Sequence, residues 1–229
     1  MTSSRSTRTL LPLLLVAALG GTAFTTPEAT PEIIDSTGVP GRTVALTFDD
    51  GPDATDTPAL LRVLGEHDVR AVFCLWGDHV RQNPDLVRRI VAEGHVLCNH
   101  TTHHDDLAAW TPEAVRADLV ETNDLVRAAA PHAEVAYFRA PYGSWGESPE
   151  VAADLGMQPL GWRFDVEDWN PPGTEVLVQR FADRVSPQAV ALLHDGGGDR
   201  SQTAAAVDEI IPRLRAEGWR FVLPAGPRG

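Results

Sequence analysis

From residue 40 onward the chain repeats one pattern: a short apolar run, a polar turn, an amphipathic stretch with apolar residues three and four apart, then another apolar run. Short apolar runs predict strands, and the three-and-four spacing predicts helices. Strands are expected over 42–48, 71–76, 95–99, 135–139, 159–164, 189–193 and 219–223. Thr57-Pro58 opens a helix with Leu60, Leu61 and Leu64 on one face, Thr serving as cap and Pro filling the first turn. Asn83-Pro84 opens another that stops at Gly94. Thr111-Pro112-Glu113 opens the longest helix, through Ala130, with Val115, Leu119, Val120 and Leu125 apolar. Further helices are expected over 148–155, 174–185 and 203–217. Strands apolar on both faces, alternating with helices, predict an α/β fold with a parallel sheet covered by helices. Right-handed crossovers curl such a sheet into a barrel or leave it open and doubly wound, and periodicity does not separate the two. The chain has no glycine-rich phosphate loop and no repeat of fixed period.

The N-terminus departs from this pattern. Arg5 and Arg8 precede the apolar run Leu10 to Leu19, and small residues follow at Gly20, Gly21 and Ala23. Residues 1–23 therefore read as a secretory signal peptide, the alternative being a retained anchor. The run is short for a membrane span, and no other segment approaches ~20 continuous apolar residues. Residues 24–39, rich in Pro, Thr and Glu, are expected to be a linker, which leaves 40–229 as one catalytic-sized domain. The net charge of −13 becomes −15 when Arg5 and Arg8 leave with the signal. Such an excess of acid disfavours nucleic acid and other polyanions as partners. The two cysteines, Cys74 and Cys98, fall in neighbouring strands; an exported protein could join them in a disulfide, and two buried thiols are the alternative.

Polar residues of catalytic type follow the strands. After the first come Asp49 and Asp50, then Gly51-Pro52; after the third, His100-Thr101-Thr102-His103-His104; after the fourth, Arg139-Ala140-Pro141-Tyr142. After the fifth come Asp165 to Trp169, and after the apolar run near 190, His194-Asp195. Parallel α/β folds gather their active groups at these carboxyl ends. Strand alternation forbids Asp49 and Asp50 from both pointing into the core, and two carboxylates so close stay ionised only beside a cation or a basic side chain. His100 and His104 face one way if their segment makes a helical turn, and with Asp50 they form a two-histidine, one-carboxylate set suited to zinc or another divalent first-row ion. His103 is the alternative to His104.

The motifs Thr-Phe-Asp-Asp-Gly-Pro, His-Thr-x-x-His, Arg-x-Pro-Tyr, Asp-x-x-Asp-Trp and Leu-x-His-Asp, in this order from about Arg42 to Leu223, resemble the polysaccharide deacetylases of carbohydrate esterase family 4, the NodB-homology domain. The resemblance implies a single-domain distorted (β/α) barrel, often of seven parallel strands. It also implies metal-dependent removal of acetyl groups, usually from N-acetylglucosamine in chitin-like chains or peptidoglycan, sometimes from O-acetyl xylan. By the same resemblance Asp50, His100 and His104 hold the metal, zinc or else cobalt. Asp49 is the base, Arg139 its partner, His194 the acid, and Asp168 or Asp165 the carboxylate that orients it. Tyr142 contributes to the oxyanion through its backbone N–H, and Trp169 and Leu192 form apolar walls. The expected partner is an acetylated glycan; a monomer without membrane insertion, secreted or cell-wall associated, completes the expectation, with a sugar-binding module as the non-catalytic alternative. Cys74, Cys98 and Glu167 depart from the commoner family pattern and bear on strand stability and subsite rather than on the reaction.

Overall fold

The computed structural model describes Met1, Thr2 and residues 31–226; the expected signal peptide and the first part of the expected linker lie outside the described residues. Strand β1 (Thr43–Asp49) is buried along its whole length and is flanked by β2 (Val72–Leu75) and β7 (Ala189–His194). Outward from these the order runs β5-β4-β3-β2-β1-β7-β6, with β3 (Val96–Asn99), β4 (Val135–Phe138), β5 (Gln158–Pro159) and β6 (Phe164–Asp165). The two-residue β8 (Arg220–Phe221) pairs with the start of β1, and every named strand pairing is parallel. The two edge strands of the seven-strand path are joined by only four residues, 160–163. A flat sheet would separate them by about 29 Å, six gaps of ~4.8 Å, whereas five residue steps reach at most roughly 17 Å. The sheet is therefore curled into the distorted barrel.

Side-chain alternation sorts this barrel into two cores. Val44, Leu46 and Phe48 of β1, Phe73 and Leu75 of β2, and Ala189, Ala191 and Leu193 of β7 pack outward against helices α1 (Asp56–Glu66), α3 (Pro84–Ala92), α6 (Thr174–Arg184) and α7 (Ser201–Ala216). Ala45, Val72, Cys74, Cys98, Tyr137 and Val190 fill the interior. By the same alternation Asp49, Arg139 and His194 arrive at the carboxyl ends on the interior side. A third cluster, around Phe138 and Met157, lies under α4 (Pro112–Ala129) and α5 (Ser148–Asp154). Among the described residues no helix is long and apolar enough to cross a membrane.

Several expectations are corrected. The single strand expected over 159–164 is two short strands, because the chain changes partner: Leu160 donates its N–H to Phe138 on one side of the seam, and Arg163 donates to Val190 on the other. Residues 31–39 are no loose linker. Ile34 is buried and bridges Leu160, Ser36 bridges Ala189, and backbone bonds from Ile34, Gly161, Thr37 and Val190 fix this segment across the seam. The composition suggested a linker, but one buried isoleucine and an open sheet seam are enough to dock it. Helix α1 starts at Asp56 rather than Thr57, since the Asp53 carboxylate accepts the N–H groups of Thr55 and Asp56. A short helix, α2 (Gly77–Gln82), was not expected, and Val120 on α4 is exposed rather than core. Thr111 does cap α4, accepting from the Ala114 N–H.

Cys74 and Cys98 are directly opposed on β2 and β3 and form a disulfide inside the barrel. The loop it closes spans 24 residues, and constraining such a loop in the unfolded chain contributes about 3 kcal/mol in the loop-entropy account. Unfolding without reductant in the presence of an alkylating reagent should leave both cysteines unmodified by mass spectrometry, and reduction should lower the melting temperature. Two alkylated cysteines would refute the bond.

Candidate active site

The turn after β1 is the centre of the site. Asp49 ends the strand facing inward, and Asp50 follows in the left-handed region with φ 72°, a conformation that aspartate tolerates better than most residues. Alternation stops there, so both carboxylates line the same cleft. Two bonds tie down the turn: the Trp76 N–H donates to the Gly51 carbonyl (3.0 Å) and His79 Nδ1–H to the Asp50 carbonyl (2.6 Å).

The histidine segment makes no helical turn, the condition under which spacing alone would have aimed His100 and His104 the same way, and a loop does so instead. Asn99 ends β3 fully buried; its amide donates to Leu119 and Asn123 of α4, and its side-chain oxygen accepts the Thr101 N–H. Thr102 is bonded to Asp118 and Thr122 of the same helix. With Thr101 (φ 67°) and His104 (φ 59°) both left-handed, the loop doubles back and aims His100 and His104 at Asp50. Their Nε2 atoms lie 3.4 and 3.1 Å from Asp50 Oδ1. His103 points away, exposed and paired with Asp78 at 2.9 Å.

These three side chains fit a metal ion. Their ligand atoms lie within 4.8 Å of one another. Asp50 Oδ1 is buried without a hydrogen-bond partner. His100 Nδ1 is 2.8 Å from the Arg139 carbonyl, which only an N–H can satisfy, so its Nε2 keeps a lone pair toward Asp50. His104 Nδ1 shares a hydrogen bond with the Tyr142 hydroxyl at 3.0 Å. Burial works to raise the Asp50 pKa, yet the adjoining His100 and His104 hold it well below the usual carboxylate range. Burial likewise opposes a charged His100, and Asp49 and Asp50 outweigh it, so its pKa is raised. The set binds positive charge.

Around this trio stand two ion pairs. Arg139, with no exposed surface, donates to Asp49 Oδ1 at 2.6 Å and to the carbonyls of Leu160 and Gly161. His194, the register partner of Asp49 on β7, donates Nδ1–H to Asp168 Oδ1 at 2.7 Å, while Asp168 Oδ2 accepts the His194 backbone N–H at 2.9 Å. Between the two orienting carboxylates left open by the sequence, the geometry selects Asp168. Asp165 lines the cleft but bonds the Glu167 N–H and neighbours Arg184 instead. Burial opposes a charged His194, and the hydrogen bond and charge of Asp168, with Asp49 and Asp50, overcome it and raise its pKa. The cleft encloses ≈ 490 Å³ and is also lined by Ala140, Trp162 and the nearly buried Leu192. Tyr142 and Trp169, 72% and 59% exposed, present aromatic faces at its rim.

The sequence reading missed three contributors: Trp162 over the Arg139 guanidinium, and Arg200 and Thr203 bonded to Asp168 behind His194. Charged residues directly after a strand end, as in His194-Asp195-Gly-Gly-Gly-Asp-Arg200, were the available signal.

The family model described as polysaccharide deacetylase matches residues 36–160. The chain belongs to the polysaccharide deacetylase family. A chitooligosaccharide deacetylase of Rhizobium leguminosarum bv. trifolii is 39% identical over 81% of this chain and 91% of its own length. A peptidoglycan-N-acetylglucosamine deacetylase of Bacillus cereus is 36% identical over 78% of this chain and 84% of its own. The solved Bc1960 peptidoglycan N-acetylglucosamine deacetylase superposes with a TM-score of 0.77 at 33% identity, covering 83% of this chain and 89% of its own. The family's enzymes are hydrolases, and this chain carries the complete set of groups described above.

Metal affinity should follow this geometry. Tyr142→Phe, which loses the bond to His104, should weaken zinc binding roughly 10-fold to 100-fold by calorimetric titration. His103→Ala should leave the affinity unchanged, and His100→Ala should abolish it. Undiminished binding in His100→Ala would remove the trio as the site.

Proposed function

We propose that this chain is a secreted hydrolase that removes acetyl groups from N-acetylglucosamine units of chitin-like or peptidoglycan glycans. One observation carries the reading: Asp49, paired with Arg139, and His194, paired with Asp168, are register partners on adjacent strands beside a three-ligand metal set, in one cleft rimmed by aromatic rings. The deacetylases named above supply the amide as the bond to be broken.

Asp50, His100 and His104 would hold a divalent cation, zinc or else cobalt, which would supply polarisation of the acetyl carbonyl and acidification of a water. Asp49 is the base that takes the water's proton. Arg139 pairs with its carboxylate at 2.6 Å and holds it in place. The Tyr142 backbone N–H is the donor for the developing oxyanion. His194, its Nδ1–H committed to Asp168, presents Nε2–H to the leaving nitrogen and protonates it as the C–N bond breaks. Leu192 gives the acetyl methyl an apolar wall, and the exposed Trp169 and Tyr142 rings offer faces for sugar rings. The excess of acidic residues disfavours nucleic acid as a partner. Export is supported by the signal-like N-terminus and by a disulfide suited to an oxidising compartment. A monomer suffices, since every group named comes from one chain.

Acetate release from acetylated chitooligosaccharides, peptidoglycan fragments and acetylated xylan, with and without chelator, tests the reading. Release from an N-acetylglucosamine substrate, abolished by chelator and restored by zinc or cobalt, is expected. Release from xylan alone would make the enzyme an O-deacetylase, and release from none would leave a sugar-binding role. Asp49→Asn and His194→Ala should each lose on the order of 100-fold to 10,000-fold in turnover with the fold intact. The acid must be protonated, and its pKa is raised, so activity should persist above the ordinary histidine value of ~6.5 and fall only at higher pH. Asp168→Asn removes the side-chain bond and the charge that raise it, and should move that basic limb to lower pH. An unchanged limb would assign the orienting role elsewhere.

A further inference from the structure

We propose that Thr203 is a positioning residue for the acid, acting through Asp168. Thr203 lies in the first turn of α7 and is 2% exposed, and its hydroxyl donates to Asp168 Oδ2 at 2.8 Å. The other carboxylate oxygen, Oδ1, takes the His194 Nδ1–H. The terminal torsion of an aspartate is soft and roughly two-fold, so a carboxylate with one anchor swings readily. Here the His194 backbone N–H and the Thr203 hydroxyl both hold Oδ2, which leaves Oδ1 aimed at the ring. Arg200 adds a bond from its guanidinium to the Asp168 carbonyl at 3.2 Å and so fixes the backbone from which that carboxylate hangs.

A threonine in the first turn of a helix often serves the helix itself, but this one does not. The N–H groups at the start of α7 are taken elsewhere: Arg200 donates to Asp56 and Ser201 to Asp199, while Thr203 and Ala204 donate to the Arg200 carbonyl. The hydroxyl of Thr203 is therefore spent on the acid's orienting carboxylate.

The consequence is chemical and rests on His194 acting as the acid proposed above. When the C–N bond of the tetrahedral species breaks, its electron pair goes to nitrogen, and the Nε2 proton of His194 goes with it; Nδ1–H stays on the ring facing Asp168. A swinging carboxylate lets the ring tilt and the Nε2–H miss the nitrogen. A leaving group that departs without a proton, such as an aryl oxide, does not register this loss.

The test compares wild type, Thr203→Val and Thr203→Ser on an acetylated chitooligosaccharide and on 4-nitrophenyl acetate. Thr203→Val should lose roughly 10-fold to 100-fold in kcat on the glycan, less than loss of the acid itself, with KM little changed. On the aryl ester it should stay within about threefold, which also reports an intact fold. Thr203→Ser keeps the hydroxyl and should restore glycan turnover. In an Asp168→Asn background, Thr203→Val should have no further effect on the glycan. Equal losses on both substrates, failure of serine to rescue, or full additivity with Asp168→Asn would overturn the proposal. If Thr203→Val does not fold, Thr203→Ala removes the same donor without added bulk. If wild type spares the amide but cleaves acetylated xylan, the deacetylase reading fails while the Thr203 comparison proceeds on the xylan, whose alkoxide also needs the proton; wild type inert on every substrate overturns both.

Discussion

A guanidinium with no exposed surface, set against a carboxylate inside the mouth of a barrel, is the interaction on which the rest depends. Burying either Arg139 or Asp49 alone costs several kcal/mol, and removing one partner of such a pair typically costs about 3–5 kcal/mol because the other is left uncompensated. Arg139 meets that demand by spending Nη1 on Asp49, Nε on the Leu160 carbonyl and Nη2 on the Gly161 carbonyl. Those carbonyls belong to the four residues that carry the chain from the β5 edge to the β6 edge. The side chain that pairs with Asp49 therefore also latches the barrel seam. Its own carbonyl, by accepting from His100 Nδ1, fixes the tautomer of a candidate ligand. Charge balance, closure and ligand orientation are one arrangement.

The loops after β1 and β7 are joined almost as tightly. Gly51 lies where a Cβ would overlap the Asp195 carboxylate, and Gly196 where one would overlap the Asp50 carbonyl, so glycine is required for the two turns to pass. The Asp195 N–H donates to the Asp49 carbonyl, and the Asp195 carboxyl takes the Thr57 hydroxyl at 2.5 Å. Asp53 starts α1 and Asp56 receives the first N–H before α7, so the helices behind the sheet are anchored to the same turns. Asp49, Asp50 and His194 are thus fixed by one set of interlocked turns, the condition a site needs to hold reacting groups within a fraction of an ångström.

Much of this was legible in the sequence because hydrophobic period reports burial directly. Six of the seven expected strands and the cap of α4 follow from it, and catalytic residue types at strand ends located the cleft. What period cannot report is a change of partner. The run from Pro159 to Phe164 is as apolar as any strand, yet it bonds first to β4 and then to β7. Nor does composition reveal docking: Pro, Thr and Glu mark residues 31–39 as loose, while Ile34 seals the seam. The histidine loop was misread for a different reason. Thr101 and His104 adopt positive φ, which nothing in a Thr or His code announces; the buried polar face of α4, Asp118, Thr122 and Asn123, compels it. Asp168 and Asp165 are likewise indistinguishable by spacing and separated only by which one meets Thr203 and His194.

Four aspartates within this small region show how far surroundings decide chemistry. Asp50, between two imidazoles, is held below the ordinary carboxylate range despite burial. Asp195, with no such partners, is pushed up to about 7 by burial and by the charges of Asp50 and Asp49. Asp49 leans on Arg139, and Asp168 on His194, Thr203 and the His194 backbone. Hydrogen bonds from Arg139 and from His194 and Thr203 occupy the Asp49 and Asp168 carboxylates, while Asp50 Oδ1 has no hydrogen-bond partner. That oxygen lies between His100 and His104, which is where a divalent cation would be held. Carboxylates gathered at one end of one sheet are thereby committed to different partners, which is how a single fold sets neighbouring titratable groups to different tasks.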